Sequence, residues 1–260
     1  MSEPKIVYYD AESDELAGIE KNTIKIDSSF PYVHKNPIWR ALSFVVYRVI
    51  MKPVAFLWCK LKFSLKIKGK EKLKPFKKQG YFLFSNHTLL AGDAFIPNVI
   101  NYLKRSYVIV HADNLSTKGT KNFIQMCGAI PVPTEFSGFR PFLNTIKKRV
   151  DEGACICIYP EAHVWPYCTF IRDFADTAFS YPIKLDAPVF TSVTTFQKRK
   201  LGKTPKVTVY IDGPFMYDKS LPTKVAQKKL RDEVYEVMRE RAKLSTYEVI
   251  RYLKRGDMSE

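Results

Sequence analysis

The sequence predicts an α/β protein with a mainly parallel sheet that helices cover on both faces, preceded by an N-terminal amphipathic helical segment. Short apolar runs alternate with helical stretches along most of the 260 residues. Runs of this kind are typical of parallel strands that are buried on both faces. No internal repeat or low-complexity linker divides the chain, and its length suits one domain with an appendage.

Residues 1–35 are predicted to form an irregular arm, and residues 36–60 to form interfacial amphipathic helices. Asn36 can cap a helix, and Pro37 suits its first position. Proline in a helix interior removes a hydrogen bond, so Pro53 should end or kink this helix. On a 3.6-residue wheel one broad face is apolar and carries Ile38, Trp39, Leu42, Val45, Val46, Val49 and Ile50.

This segment is predicted to lie on a membrane without crossing it. Four basic residues divide it into apolar pieces shorter than the roughly 20 residues that a bilayer needs: Arg40, Arg48, Lys52 and Lys60. A basic polar face with tryptophans is typical of a helix in the membrane interface, although a helix packed on the domain's own core has the same pattern. The lysines up to Lys78 and the net charge of +16 favour anionic lipid, since no nucleic-acid-binding motif is present.

Residues 61–260 are predicted to form the α/β domain. The strictly alternating stretch 61–68, "LKFSLKIK", indicates a half-buried strand. Further strands are expected at "YFLFS", "SYVIVHA", "GAIPVP", "ACICIYP", "PVFTSVTTF" and "KVTVYI". Helices are expected at about 93–104, 114–126, 139–151, 171–184 and 223–254. The five cysteines show no CxxC spacing and no signal peptide is apparent, which favours the reducing cytoplasm.

A histidine and an aspartate follow the strand predicted at "YFLFS". They lie in "NHTLLAGD", residues 86–93. His87 could serve as a general base, and Asp93 could fix its tautomer and stabilise the imidazolium. The two cannot meet on one regular helix, because six residues turn about 600°. They can meet if His87 lies in the turn and Asp93 begins the next helix. An ordinary strand-to-helix turn is the alternative.

A second polar segment, "YPEAH" at 159–163, also comes directly after a strand and supplies Glu161 and His163. Functional residues in open α/β sheets lie at the carboxyl ends of strands. His163 could hydrogen-bond a substrate or could equally be a satisfied core histidine.

These pieces, in this order, resemble the glycerophosphate acyltransferase family, the lysophosphatidic acid acyltransferase-like proteins. The family's first motif is Asn-His, four intervening residues and Asp, and "FSNHTLLAGD" matches it with five. "GAIPVPT", "YPEAHV" and "APVFTSV" resemble the second, third and fourth motifs. The resemblance covers about Leu61 to Pro214.

The resemblance implies that His87 deprotonates an acceptor hydroxyl while Asp93 orients it. The alkoxide would attack an acyl thioester on coenzyme A or acyl carrier protein, with no metal or other cofactor, and backbone amides near the third motif would stabilise the oxyanion. The acceptor would be a lyso-lipid on the cytoplasmic face of a membrane. Asn86 and Glu161 match family residues expected near the substrate.

Two departures concern the acceptor. The arginines that grip phosphate in the family are replaced by Thr134 and Val164. Arg140 and Arg172 lie just downstream and could take over phosphate binding, or could be ordinary surface charges. The missing arginines also leave open a second function, a non-catalytic lipid-binding protein with an acyltransferase-like fold.

Overall fold

Nine strands occur in the part of the chain that the structure, a computed structural model, describes: residues 4–11, 14–16, 24–116, 119–200, 202 and 204–255. They are β1 (Lys5–Tyr8), β2 (Lys66–Lys68), β3 (Tyr81–Ser85), β4 (Ser106–Val110), β5 (Ala129–Pro131), β6 (Cys155–Ile158), β7 (Val189–Gln197), β8 (Lys206–Phe215) and β9 (Arg251–Lys254). Seven form one sheet in the order β2-β8-β7-β3-β6-β4-β5. All neighbours run parallel except β7 and β8, so the predicted mainly parallel sheet is confirmed.

Helices cover both faces of this sheet, also as predicted. They are α1 (Pro37–Phe44), α2 (Lys52–Phe63), α3 (Leu90–Ile100), α4 (Lys121–Met126), α5 (Phe139–Asp151), α6 (Ser180–Lys184) and α7 (Thr223–Ala242). Side chains alternate along β6: Ile156 and Ile158 join a core cluster with α5 and α7, and Cys155 and Cys157 join a second cluster with α2 and α3. The cysteines are therefore core residues, free and buried.

The N-terminal helix begins where the sequence predicts but does not break at its proline. Asn36 Oδ1 accepts hydrogen bonds from the backbone of Ile38 at 2.8 Å and of Trp39 at 3.2 Å. A π-helical segment, Val45–Met51, joins α1 to α2 without interruption. Its wider turn bonds the Lys52 N–H to the Tyr47 carbonyl, five residues back, which lets the helix pass Pro53.

The joined helix Pro37–Phe63 has 27 residues and is long and apolar enough to cross a membrane by length and composition, contrary to the expectation from its basic residues. One stripe of it nevertheless packs on the domain: Ser43, Tyr47, Lys52, Ala55, Cys59 and Phe63. Lys52 Nζ donates to the carbonyls of Asn101, Tyr102 and Lys104 at 2.6–2.7 Å, which caps the end of α3.

The opposite side of the same helix exposes an apolar strip, defined by residues whose exposed fractions run from 43% to 77%: Ile38, Leu42, Val45, Val49, Val54, Leu57 and Leu61. The π-helical segment matters here, because it keeps both the buried stripe and the apolar strip in register along the whole length. A row of exposed apolar side chains that runs the whole length of a helix is typical of a surface that contacts a membrane or another protein.

Several element boundaries differ from the sequence prediction. The expected strand 61–68 is helical up to Phe63, because Phe63 buries against the core and Ser64 ends α2 in a left-handed conformation with φ 47°. The helices expected at 114–126 and 171–184 are reduced to α4 and α6, each at the C-terminal end of its range. The helix expected at 223–254 ends at Ala242, and the chain then turns so that Thr246 bonds the Phe196 carbonyl at the end of β7.

The arm 1–35 is not wholly irregular in its described parts. β1 pairs in parallel with β9, near the other end of the chain, to form a two-stranded terminal ribbon. Farther along the arm, Ile26 and Phe30 pack with Ala112 and Leu115 in a small separate core. These described parts of the arm thus pack as part of the folded domain.

Candidate active site

Three polar side chains meet at the carboxyl ends of β3 and β6: His87, Asp93 and Glu161. β3 ends at Ser85, and the chain continues through residues 86–89 into α3, whose first turn contains Asp93. Gly92 also lies in this first turn, where a Cβ atom would come within 2.7 Å of the Leu89 side chain. Glycine is thus required there by close packing.

His87 and Asp93 form a hydrogen-bonded pair despite the extra residue between them. Their Nδ1 and Oδ2 atoms are 2.8 Å apart. A carboxylate only accepts hydrogen bonds, so Nδ1 carries the hydrogen and the lone pair lies on Nε2. The His87 side chain is 19% exposed and that of Asp93 is 3% exposed, so the imidazole is the member of the pair that solvent or a substrate can reach.

The Asp93 carboxylate also shapes the turn. Its Oδ2 accepts the backbone N–H groups of Thr88 at 2.8 Å and Leu89 at 2.9 Å. Burial raises the pKa of Asp93 above its ordinary value, and the hydrogen bonds from His87, Leu89 and Thr88 oppose this rise. The extra residue is therefore absorbed in a turn whose two amides point at the same oxygen as the imidazole.

Glu161 ties this turn to the loop after β6. Its Oε2 accepts the backbone N–H of His87 at 2.8 Å, and its Oε1 accepts the backbone N–H of Arg172 at 2.8 Å. Burial raises the pKa of Glu161, and the charge of Arg172 is the largest opposing effect. Glu161 thus holds the backbone of His87 in place through this hydrogen bond.

Arg172 does not face outward, as phosphate binding would require. Its side chain is 1% exposed, and Nη2 lies 3.5 Å from Glu161 Oε2. The guanidinium packs over the Trp165 ring at 4.8 Å and donates to the carbonyls of His163 and Ala11. The expectation that Arg172 replaces a phosphate-gripping arginine is wrong in this structure, because the guanidinium is used inside the loop. Arg140 lies exposed in the first turn of α5.

Asn86 is also turned inward. Its Nδ2 donates to the Thr194 carbonyl at 3.0 Å, and its Oδ1 accepts the Thr194 N–H at 2.8 Å. This reciprocal pair joins the end of β3 to β7 and uses both polar ends of the amide. The structure therefore makes Asn86 a connection between two strands, beside the histidine, and its expected contact with substrate stays a prediction.

The two positions that lack arginine have different surroundings. Thr134 is exposed, and its hydroxyl accepts the Ile26 N–H of the arm at 2.9 Å. Val164 is buried in the core of the loop. His163 is partly exposed; burial lowers its pKa, and the nearby charge of Glu15 opposes this. A neutral His163 can hydrogen-bond a substrate but cannot supply the charge of a guanidinium.

The terminal ribbon was not predicted, and it packs on the loop that carries Glu161. Trp165 stacks on Tyr252 of β9 with ring centroids 5.1 Å apart, and its Nε1 donates to the Asp14 carbonyl at 2.8 Å. Tyr8 of β1 meets the same ring edge-on at 4.8 Å. The β-branched and aromatic residues of "KIVY" at 5–8 were the available signal for β1.

Comparisons with known proteins find a matching family model and a similar fold. The Acyltransferase family model matches residues 64–195. The solved structure of the 1-acyl-sn-glycerophosphate (LPA) acyltransferase PlsC from Thermotoga maritima is similar, with a TM-score of 0.56 and 15% identity. The match covers 83% of this chain and 86% of that one. No curated protein sequence matches the chain.

The buried pair of Arg172 and Glu161 should be strongly coupled. Arg172→Met leaves the Glu161 carboxylate buried without its guanidinium, and such a loss costs about 3–5 kcal/mol in the free energy of unfolding. The same change in a Glu161→Gln background removes no charge partner and should cost clearly less. Urea denaturation measures both costs, with exposed Arg140→Met as the matched control. Equal costs in the two backgrounds would show that the pair is not coupled.

Proposed function

Because the chain belongs to the acyltransferase family, whose model matches residues 64–195, we propose that it moves a fatty acyl group from an acyl thioester to the hydroxyl of a lyso-lipid or related acceptor. The observation that carries this proposal is the pair of His87 and Asp93, 2.8 Å apart at the carboxyl end of a central strand. The side chain that can reach a substrate is the one with the basic nitrogen, Nε2.

The proposed reaction uses His87 first as a base and then as an acid. Nε2 takes the proton from the acceptor hydroxyl while the oxygen attacks the thioester carbonyl carbon. The Asp93 carboxylate stabilises the imidazolium that forms. The tetrahedral intermediate then collapses: the carbon–sulfur bond breaks, and the departing thiolate takes the proton back from Nε2. Coenzyme A and acyl carrier protein both supply this thioester chemistry.

Which groups donate hydrogen bonds to the oxyanion of the tetrahedral intermediate stays a prediction. Amides near the third motif were expected to provide it, but two of them bond within the turn. The Ala162 N–H donates to the Tyr159 carbonyl at 3.2 Å, and the His163 N–H to the Glu161 carbonyl at 2.7 Å. A substrate would have to compete for these amides or use others in the same loop.

The acceptor is proposed to differ from a simple lysophosphatidic acid. Thr134 and Val164 replace the family arginines. Arg172 is paired inside the protein with Glu161, with Nη2 and Oε2 3.5 Å apart. Burial lowers the pKa of the nearby His163, so this side chain supplies no fixed positive charge for a phosphate monoester. A lyso-lipid with a different headgroup, or a neutral alcohol, fits these side chains better.

The enzyme is proposed to work as a peripheral protein on the cytoplasmic face of an anionic membrane. The apolar strip of the N-terminal helix would enter the interface. Lysines that follow it are exposed and would meet anionic headgroups: Lys60, Lys62, Lys66, Lys68, Lys70, Lys74, Lys77 and Lys78. The buried stripe and the Lys52 cap support a helix that lies along the domain.

The first test of the function is His87→Ala, which should lower acyl transfer by about a hundred- to ten-thousandfold, the usual contribution of a general base. Asp93→Asn should also be severely impaired, because the amide can select the wrong tautomer and cannot hold both backbone amides and the ring as a carboxylate does. Mass spectrometry of the products from a panel of lyso-lipids, with acyl-CoA or acylated carrier protein as the donor, measures both effects. Near-normal turnover by folded His87→Ala protein would contradict the catalytic role, and no turnover by the wild type with either thioester would favour the lipid-binding alternative.

The second test concerns the acceptor. Lysophosphatidic acid should compete poorly against other lyso-lipids and neutral alcohols. Thr134→Arg should raise its kcat/KM by roughly ten- to a hundredfold, since one charge-assisted hydrogen bond contributes about 1.5–3 kcal/mol. Thr134→Met is the uncharged control. A strong preference for lysophosphatidic acid in the wild type, lost in Arg140→Ala, would show that Arg140 supplies the phosphate contact.

The third test concerns the membrane. Flotation with liposomes should require anionic lipid and weaken in high salt, because each basic residue near such a surface contributes on the order of 1 kcal/mol, screened by ions. Leu57→Asp with Leu61→Asp should abolish it, whereas Val225→Asp, at an exposed valine of α7, should not. Resistance to both salt and carbonate extraction would favour a spanning helix, and no liposome binding would exclude the membrane contact.

A further inference from the structure

One tyrosine at the end of β6 contacts both members of the catalytic pair. The Tyr159 ring is stacked on the His87 imidazole, with centroids 4.4 Å apart and an interplanar angle of 22°. The Tyr159 hydroxyl donates to the backbone carbonyl of Asp93, at an oxygen–oxygen distance of 2.5 Å. The proton-transfer steps above use neither contact.

The Asp93 carbonyl is available to Tyr159 because of a proline in α3. In a regular α-helix the carbonyl of a residue accepts the N–H of the residue four positions later. For Asp93 that residue is Pro97, which lies inside α3 and has no N–H. The Tyr159 hydroxyl supplies the hydrogen bond that this proline removes, at the turn of the helix that carries the carboxylate.

The stacked ring acts on the other partner. A hydrogen bond from Nδ1 to Asp93 alone lets the imidazole tilt about that bond. A parallel aromatic ring against one face prevents the tilt and keeps Nε2 aimed in one direction. When the imidazole takes up a proton it becomes a cation over the tyrosine face, within the range of about 6 Å at which such contacts are attractive.

We propose that Tyr159 is a positioning residue for acyl transfer: its ring fixes the plane of the His87 imidazole, and its hydroxyl fixes the turn of α3 that carries Asp93. The proposal rests on the proposed function, in which His87 is the base. Burial raises the pKa of the Tyr159 phenol well above its ordinary value, so the hydroxyl keeps its hydrogen at neutral pH and can donate it.

The hydroxyl is tested by Tyr159→Phe and by the proline. Tyr159→Phe should lower kcat about five- to tenfold with KM unchanged, since 1.36 kcal/mol is a factor of ten and one hydrogen bond is lost. Pro97→Ala provides an N–H to the same carbonyl. In the Pro97→Ala background the tyrosine change should therefore cost less than about twofold in kcat, by a double-mutant cycle. Equal losses in both backgrounds would overturn the role of the hydroxyl.

The ring is tested by Tyr159→Leu, which removes the stacked face as well. Its kcat should fall at least a further threefold below that of Tyr159→Phe, roughly what one exposed cation–π contact contributes. Pro97→Ala should not restore this part, because a backbone N–H cannot replace the ring. Equal kcat values for the leucine and phenylalanine variants would overturn the role of the ring.

Two controls separate these outcomes from other failures. Tyr81→Phe removes another buried tyrosine hydroxyl, bonded to Asn101 at the other end of β3, and should leave kcat unchanged. A kcat loss in it as large as in Tyr159→Phe would show a general packing effect and overturn the proposal. His87→Ala gives the activity without the base; wild-type turnover there would refute the proposed function itself. Circular dichroism and thermal melts give the folded fraction by which each kcat is normalised.

Discussion

One oxygen atom, Oδ2 of Asp93, sets the geometry on which the rest of the site depends. It accepts hydrogen bonds from the His87 ring and from the backbone of Thr88 and Leu89. An ionised carboxylate is costly to bury unless it is paired and hydrogen-bonded, and three donors on one oxygen meet that requirement. The same atom therefore fixes both the path of the chain from β3 into α3 and the direction of the imidazole, so neither can change without the other.

The sequence was sufficient to predict that His87 and Glu161 lie near each other, because the same physical rule applies to both. His87 and Glu161 each follow a buried apolar strand, and the carboxyl ends of parallel strands lie at one edge of a sheet. Arg172 obeys no such rule. The loop after β6 folds back so that the Arg172 N–H bonds Glu161, eleven residues earlier, and this return brings the guanidinium inside. Spacing along the chain does not indicate whether the side chain of Arg172 points into the protein or toward solvent.

Two errors in the predicted secondary structure have a similar cause. Leu61 to Lys68 alternates in polarity, yet Cys59 and Phe63 are also four residues apart and both pack toward α3, so tertiary burial decided for a helix. Pro53 was expected to end or kink the helix because a regular turn cannot accept it, and a π-helical segment removes that conflict. β1 and β9 pair across almost the full chain, and no local pattern in either segment identifies the other.

Charged side chains are arranged differently at the candidate site and on the surface. The net charge of +16 indicated an anionic partner without saying where it binds. At the site, the charged groups of Arg172 and Glu161 face each other and are shielded from water, 3.5 Å apart. Exposed lysines instead follow the apolar strip, from Lys60 to Lys78. An anionic surface would therefore attract the side of the protein that carries the N-terminal helix, while the proposed chemistry at His87 would depend on a hydrogen bond and a ring contact that salt screens little. In the proposed function, affinity for a membrane surface and turnover at the site could then be changed separately, because different residues would carry them.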